Sequence, residues 1–176
     1  MRKPRKLTPE RVRKSALYYL SQRAASRDQL RRVLRRRADR SRAVHGGERE
    51  EMLAWIEDAL DWCERLGYLD DAKVARDRAR SMRRRGASAR AVRAKLQEKG
   101  IASEHVDAAV GDDAGEELRA ALRLLRRRKM GPWSRVEPDA DRTKRELGVL
   151  GRAGFGYEVA KRAREMPLDE AEGLLL

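Results

Sequence analysis

The sequence predicts an all-α protein, an elongated tandem array of three-helix-bundle repeats. Three observations lead to this fold class. Aromatic residues make up only 5% of the chain, and the helix-favouring residues arginine, alanine, leucine and glutamate are abundant. Apolar residues recur at helical spacing along most of the sequence. The order Leu96, Gly100, Ile101 has a counterpart in Leu150, Gly154 and Phe155, which indicates an internal repeat.

Small polar residues mark where the helices begin. The side-chain oxygen of such a residue can accept a hydrogen bond from a free N–H group of the first turn. In chain order, the predicted starts are Thr8 before Pro9, Ser26 in a capping box with Gln29, Asp70 with Asp71, Ser88, and Ser103. Capping accounts for the two aspartates without a metal ion, because adjacent aspartates that lack further oxygen ligands bind cations poorly.

Each predicted helix has an apolar face. The clearest pattern covers four turns and consists of Met52, Trp55, Ile56, Ala59, Trp62, Cys63 and Leu66. The other faces are, in order, Val12, Ala16 and Leu20; Leu30, Val33 and Leu34; Ala72, Ala75 and Ala79; Val92 and Leu96; Val106 and Val110; Leu118, Leu122 and Leu125; Leu147 and Leu150; and Val159, Ala163 and Met166.

Grouping these helices in threes predicts the domain organisation. Residues 38–48 lack apolar periodicity and contain two adjacent glycines, so we expect a loop there. Each repeat has too little apolar surface to be stable alone, and neighbouring repeats must therefore stack. The predicted segments are a basic tail at 1–7, repeat 1 at 8–66 with its loop at 38–48, repeat 2 at 67–111, repeat 3 at 112–166 and a frayed tail at 167–176.

The charge of the chain favours a polyanionic partner. Lysine and arginine number 43 against 29 aspartate and glutamate residues, a formal net charge of +14, which suits nucleic acid or an acidic protein surface. Arginine binds phosphate through paired hydrogen bonds. Part of every cluster can instead belong to a solvated helix face with acidic neighbours. The candidate binding residues form three clusters: Arg31, Arg32, Arg35 and Arg36; Arg83, Arg84, Arg85, Arg90 and Arg93; and Arg126, Arg127, Arg128 and Lys129.

Nothing in the sequence indicates a catalytic or metal site. His45 and His105 have no histidine or cysteine partner at metal-binding spacing, and no phosphate-loop or nucleophile motif is present. We expect a non-enzymatic protein without a cofactor. Trp55 and Trp62 are interpreted as core, whereas Trp133 follows a basic run and a Gly-Pro turn, which leaves a base-stacking role open.

The environment of the protein is predicted from its cysteine and its hydropathy. The one cysteine, Cys63, cannot form an internal disulfide and lies within an apolar helix, which is typical of a reducing compartment. No apolar run approaches the ~18 residues that a membrane span requires. We expect a cytoplasmic monomer that makes no contact with a membrane.

One stretch in the middle of the chain has a distinctive order of residues. Leu66-Gly67-Tyr68-Leu69-Asp70-Asp71-Ala72 precedes an alanine-striped helix that ends at Arg84-Arg85-Gly86, and Val92, Leu96 and Lys99-Gly100-Ile101 follow. This order resembles the RecX family. Supporting pieces are Ser26, Leu30 and Leu34 near the start and Gly154-Phe155-Gly156-Tyr157-Glu158-Val159 near the end, so the resemblance covers about 16–166.

The resemblance implies both an architecture and a partner. It implies tandem three-helix repeats that regulate the RecA recombinase by lying in the groove of the RecA filament on single-stranded DNA. Such binding hinders filament growth and suppresses ATP hydrolysis, strand exchange and co-protease activity, with duplex DNA as a further partner. The residues alone leave two other classes open: a sequence-specific helix-turn-helix DNA-binding regulator and a basic assembly factor for structured RNA.

Overall fold

The computed structural model describes residues 4–137 and 139–176, and this part of the chain contains helices and no strand. The all-α class is confirmed. In chain order the α-helices are α1 (Pro9–Gln22), α2 (Arg27–His45), α3 (Arg49–Arg65), α4 (Asp71–Arg84), α5 (Ala89–Glu98), α6 (Ser103–Val110), α7 (Ala114–Arg128), α8 (Ala140–Arg152), α9 (Tyr157–Glu165) and α10 (Leu168–Gly173), with a short 3-10 helix at Gly131–Trp133 before α8. None of the described helices is long and apolar enough to cross a bilayer.

The chain folds as two units. Unit 1 comprises the residues up to Ala75 together with Glu98–His105. Unit 2 comprises Arg76–Gln97 and Val106–Leu176. Helices α1–α9 follow one another in three groups of three, and the middle group contributes residues to both units.

Unit 1 is held together by the packing of α1 and α2 on α3. Its core contains Val12, Ala16, Leu30, Leu34, Ala38, Met52, Ile56, Ala59, Leu60, Cys63 and Leu69. Full burial of each large side chain in this set stabilises the fold by roughly 1.5–3 kcal/mol. Most of the predicted apolar residues of the first three helices therefore point inward, and Trp55 and Trp62 pack against the core as partly buried side chains. Leu66 is the exception: it follows the last residue of α3 and is 53% exposed, so its place in the predicted apolar face is wrong.

Unit 2 is built around α7 and α9, which pack on each other, while α8 packs on α9. Its core contains Leu118, Ala120, Ala121, Leu122, Leu124, Leu125, Leu150, Phe155, Ala160, Ala163, Met166 and Ala171. Helix α7 buries residues on more than one face: α9 and the 3-10 helix pack on it, and Gly86 approaches its backbone at Ala120 and Leu124.

A pair of equivalent contacts recurs in the two units. In unit 1 the Ser26 hydroxyl donates a hydrogen bond to the Lys99 carbonyl oxygen at 2.6 Å and accepts one from the Gln29 N–H. In unit 2 the Ser88 hydroxyl donates to the Ala153 carbonyl oxygen at 2.6 Å and accepts from the Ala91 N–H. Each serine thus caps its own helix and donates a hydrogen bond to the end of a later helix. This shared contact explains why a similar order of residues occurs at 96–101 and at 150–155.

A carboxylate completes each of these contacts. Asp71 Oδ1 accepts the Arg27 N–H at 2.8 Å in unit 1, and Glu117 Oε2 accepts the Ala89 N–H at 3.0 Å in unit 2. Arg27 and Ala89 are the first residues of α2 and α5, so a residue from a following helix satisfies a free N–H group at each helix start. Burial raises the pKa of Asp71, although the Arg27 N–H favours its charged form.

The predicted loop at 38–48 is wrong over most of its length. Helix α2 continues to His45 and ends at Gly46, whose φ is 67°. Ala38 and Ser41 are buried, and Ser41 Oγ accepts a hydrogen bond from the Leu7 N–H at 2.8 Å. The segment is helical because two small residues pack inward at helical spacing, a pattern that apolar periodicity does not detect.

The two predicted tails are also ordered where the structure describes them. Leu7 is buried in the unit 1 core, so the basic segment is anchored at its end, and the first three residues lie outside the described residues. At the other end, residues 168–173 form α10 instead of a frayed tail. Ala171 is fully buried in the unit 2 core and Leu175 packs against that core, which accounts for the additional helix.

Candidate nucleic-acid interface

The first predicted arginine cluster lies on α2 in unit 1, and its members differ in what they contact. Arg31 Nε donates to Glu57 Oε1 at 2.7 Å, and its Nη1 lies 3.5 Å from Asp28. Arg32 pairs with the other oxygen of Asp28 at 2.5 Å. Arg35 and Arg36 are exposed. Arg31 therefore holds α2 to α3, whereas Arg35 and Arg36 face solvent.

Sequence reasoning missed a second arginine that joins α2 to α3. Arg27 contacts three carboxylates on successive turns of α3: Glu57, Asp61 and Glu64. The signal was present in the sequence, since acidic residues at 57, 61 and 64 form one helical face. Hydrogen bonding from Arg31 lowers the pKa of Glu57 below its ordinary value. This acidic face is thus occupied by internal arginines.

The second and third predicted clusters converge in unit 2, where the ends of α4 and α7 meet. Gly86 has a φ of 81°, and a Cβ atom there would lie 2.7 Å from the Leu124 backbone nitrogen. The Arg127 guanidinium donates to the Arg85 carbonyl oxygen at 2.8 Å, and Arg123 donates to the Arg83 carbonyl oxygen at 3.5 Å. The two basic helix ends can approach this closely because glycine has no side chain.

We name the exposed side chains at this meeting point the convergent cluster. Among the described contacts, none of its members pairs with a carboxylate. Their cations lie at or just beyond the C-terminal ends of two helices, where the helix dipoles favour positive charge. The convergent cluster consists of Arg84, Arg85, Arg126, Arg127, Arg128 and Lys129.

Arg83 belongs to the same predicted set but points into the fold. Its side chain is 8% exposed and pairs with Glu117, and its Nη1 also donates to the Ala87 carbonyl oxygen at 3.2 Å. Glu117 in turn accepts the Ala89 N–H. Arg83 therefore joins α4 to the starts of α5 and α7, a structural role that its position in a run of three arginines did not reveal.

The remaining predicted residues of the second cluster lie on α5. Arg90 is exposed, while Arg93 pairs with Asp107 at 3.3 Å and with Asp112 at 3.2 Å and donates to the Gly111 carbonyl oxygen. Arg93 thus connects α5 to the end of α6. Of these two residues, Arg90 is the one whose guanidinium faces solvent.

The start of α7 carries an ion-pair network of its own. Glu116 accepts hydrogen bonds from Arg119 at 2.8 Å and from Arg123 at 2.6 Å. Burial acts to raise the pKa of Glu116, but these two hydrogen bonds outweigh it and the pKa is lowered. Glu116 is neutralised by its own helix and does not offset the cluster at the far end of α7.

Trp133 does not present the freely exposed ring that the base-stacking alternative called for, since it is partly buried. Trp133 lies in the 3-10 helix, packs against the unit 2 core, and its indole N–H is buried. The two histidines are not brought together: His45 Nε2 lies 2.7 Å from the Pro4 carbonyl oxygen and His105 Nε2 lies 3.7 Å from Glu104. Among the described residues, no group of three or more His, Cys, Asp or Glu side chains could hold a metal ion.

Similarity to other proteins decides the family. The family model for the second three-helix domain of RecX matches residues 70–110. The chain is 41% identical over 165 residues to the regulatory protein RecX of Myxococcus xanthus (strain DK1622), which covers 92% of this chain and 88% of that protein. This chain belongs to the RecX family. The residues that this family model matches, 70–110, overlap the segment at 66–101 on which the sequence resemblance rests.

Further RecX relatives agree in sequence and in fold. The regulatory protein RecX of Agrobacterium fabrum (strain C58) is 36% identical over 164 residues, covering 93% of this chain and 87% of that protein. The crystal structure of RecX from Lactobacillus salivarius superimposes with a TM-score of 0.67, at 16% identity, over 93% of this chain and 96% of that one. The tandem three-helix architecture is confirmed, and the names of these relatives support a regulatory role.

Proposed function

We propose that this RecX chain is a non-catalytic regulator that binds the RecA filament on single-stranded DNA. In this proposal, binding lowers the ATP hydrolysis, strand exchange and co-protease activity of the recombinase. The names of the relatives support regulation, and the charge of +14 supports a polyanionic target. The observation that carries the DNA contact is the convergent cluster, because six exposed cations from two helix ends meet there.

The chemistry of the convergent cluster suits a phosphodiester backbone. Each guanidinium can donate two parallel hydrogen bonds to one phosphate, and the lysine adds a point charge. Such contacts release counterions, so affinity should fall steeply with salt. No member of the cluster is aromatic, and Trp133 packs against the unit 2 core. Backbone recognition without base readout matches a protein that acts along a filament of any sequence.

Each unit has further exposed arginines from the predicted set. Arg35 and Arg36 are exposed on α2, and Arg90 is exposed on α5 of unit 2. Arg31, Arg83 and Arg93, by contrast, act within the fold through their carboxylate partners. We therefore assign DNA contact to the exposed members of the predicted set and structural roles to these three. The proposed regulator acts as a cytoplasmic monomer without a cofactor.

An ATPase assay tests the regulatory proposal. Adding the full chain to RecA and single-stranded DNA should reduce DNA-dependent ATP hydrolysis at a low molar ratio. Replacing Arg84, Arg85 and Arg127 by glutamine should weaken that inhibition. The matched control replaces Lys161 and Arg162, two exposed cations of α9 in the same unit, by glutamine. This control should inhibit ATP hydrolysis as strongly as the parent chain does. No inhibition by the folded parent chain would refute the proposal.

A competition binding assay separates the proposal from the other two classes. The full chain is offered a RecA filament, single-stranded DNA, duplex DNA and structured RNA at equal salt. The proposal predicts preference for the filament. Preference for one duplex sequence would indicate a helix-turn-helix regulator, and preference for RNA would indicate an RNA assembly factor. Either result would contradict the filament assignment.

A further inference from the structure

Unit 1 contains a pocket beside α1 and α2. It has a volume of about 690 Å³ and is bounded by the segment at 4–7, one face of α1 and one face of α2. None of the thirteen sequence-predicted binding residues lines it. Six cations do: Arg5, Lys6, Arg11, Lys14, Arg37 and Arg40.

The segment at 4–7 forms a fixed wall of this pocket. The Leu7 N–H donates to Ser41 Oγ at 2.8 Å, and both residues are buried. His45 Nε2 lies 2.7 Å from the Pro4 carbonyl oxygen. The Arg11 guanidinium donates to the Lys6 carbonyl oxygen at 2.8 Å. These contacts connect both ends of the segment to the helices.

The pocket is strongly positive. Glu10 is the one acidic residue among those that line it, and it offsets one of the six cationic charges. A hydrogen bond with Thr8 lowers the pKa of Glu10, so that side chain stays ionised. Among the described residues, none of the six cations forms a salt bridge. Repulsion between these cations is relieved when an anion binds, which favours a phosphate-bearing ligand.

The aromatic residue of the pocket narrows the class of anion. Tyr18 is 65% exposed and lies on the same face of α1 as Arg11 and Lys14, at spacings of seven and four residues. An exposed ring beside a basic groove can stack on a nucleobase, whereas the carboxylates of an acidic peptide offer no flat face to stack on it. The pocket volume is within the range of small-ligand sites, roughly 300–1,000 Å³.

We propose that this pocket binds a nucleoside phosphate, with the base stacked on Tyr18 and the phosphate held by Arg37, Arg40 and Arg11. The ligand is either a free nucleotide or one nucleotide of a single strand, since both present the same chemistry. The strand form rests on the proposed function, because it adds a second nucleic-acid contact to that of the convergent cluster.

The test compares ligands that differ in one feature. The full chain is titrated with thymidine monophosphate and with a fluorescent oligothymidylate of about six nucleotides, a length within the range of single-strand sites. An abasic strand of equal length and a poly-glutamate peptide are the comparison ligands. Binding of the monophosphate indicates a free-nucleotide site, and binding of the strand alone indicates a strand site. Both outcomes support the proposal if they depend on Tyr18.

The decisive variant is Tyr18→Leu, which keeps an apolar side chain and removes the ring. It should weaken oligothymidylate binding on the order of tenfold and leave the abasic strand unchanged. Tyr68→Leu is the matched control, because Tyr68 is 55% exposed in the same unit but outside the pocket. Arg40→Gln should weaken both strands and lower the salt slope by about 0.7.

Two results would overturn the pocket proposal. One is an unchanged affinity of Tyr18→Leu for oligothymidylate, and the other is equally tight binding of the peptide and the thymidine ligands. The double variant Arg84→Gln, Arg85→Gln separates this test from the proposed function. If Tyr18→Leu keeps its affinity for oligothymidylate while the double variant loses DNA binding, the pocket proposal is refuted and the convergent cluster keeps its assignment. If the variant keeps DNA binding and Tyr18→Leu loses it, the pocket stands and the cluster assignment fails.

Discussion

Arg83 and Arg84 are adjacent in sequence, yet the structure gives them different tasks. Arg83 is 8% exposed and pairs with Glu117, whereas Arg84 faces solvent in the convergent cluster. The substitution Arg83→Ala should therefore reduce stability, and Arg84→Ala should reduce DNA binding. Chemical denaturation followed by helical circular dichroism measures the first effect. A salt series of single-stranded DNA binding measures the second.

The expected size of each effect follows from the interactions of the two side chains. Removing one partner of a buried ion pair costs roughly 3–5 kcal/mol. Glu117 is 18% exposed and keeps the Ala89 N–H, so Arg83→Ala should lower the free energy of unfolding by about 3 kcal/mol, the lower end of that range. Arg84→Ala removes a charge at a helix end and should cost at most about 1 kcal/mol.

The binding data should show the opposite order. Removing one cation that binds a phosphate of a single strand lowers the salt slope by about 0.7, so Arg84→Ala should flatten the slope and Arg83→Ala should leave it unchanged. A double-mutant cycle with Glu117→Ala should show strong coupling to Arg83 and none to Arg84. If Arg83→Ala is as stable as Arg84→Ala, or flattens the slope equally, the structural assignment of Arg83 is refuted.

Three further predictions concern the stability and reactivity of the fold. Ser88→Ala should lower the free energy of unfolding by about 1–3 kcal/mol, because it removes a buried helix cap and the hydrogen bond to the Ala153 carbonyl oxygen. Chemical denaturation measures this effect, and the control Ser103→Ala should change the free energy of unfolding little, because Ser103 is exposed. The pKa values of Glu57 and Glu116 lie below their ordinary value of 4.5, so the stability that these two carboxylates contribute should be complete above about pH 5 and decline as the pH falls below 4.5. In a denaturation series the free energy of unfolding of the parent chain should fall more over this range than that of Glu57→Gln, and equal falls would contradict this. Cys63 is fully buried and burial raises its thiol pKa, so a thiol reagent should react only as the chain unfolds, and rapid native labelling would oppose that placement.

Local signals in the sequence are enough to predict the helix starts and most of the core. The Ser26 capping box and the Asp70 cap depend on neighbours within three residues, and both form as expected. The apolar face that includes Ile56 and Cys63 likewise needs only helical periodicity, and both residues are fully buried. These features are predictable because the residues that form each pattern lie within a turn or two of the same helix.

Features that depend on distant partners cannot be predicted in this way. Arg83 meets Glu117, which is 34 residues away, and a run of three arginines looks the same in the sequence whether its members are paired or solvated. Ser41 is buried because Leu7 donates to it, again across 34 residues, so local periodicity gives no sign that α2 continues there. The pocket around Tyr18 could not be predicted either, because the segment at 4–7 that forms its wall is held by Ser41 and His45, both distant in the sequence.

The convergent cluster illustrates both situations. Its members are predictable from composition and local runs, since arginine at a helix end is visible in the sequence. That the ends of α4 and α7 meet depends on Gly86, whose missing side chain allows the Leu124 backbone to approach. The charges are therefore a local property of the sequence, whereas their arrangement is a result of tertiary packing.

The most direct test measures binding to a RecA filament on single-stranded DNA over a series of salt concentrations. The parent chain, the Arg84, Arg85 and Arg127 glutamine variant, and the Lys161 and Arg162 glutamine variant are compared. Removing three phosphate-binding cations should reduce the salt slope by about 2 in the first variant, while the second variant keeps the parent slope. Equal slopes for all three proteins, with each one folded, would contradict the assignment of the convergent cluster as the DNA-binding surface.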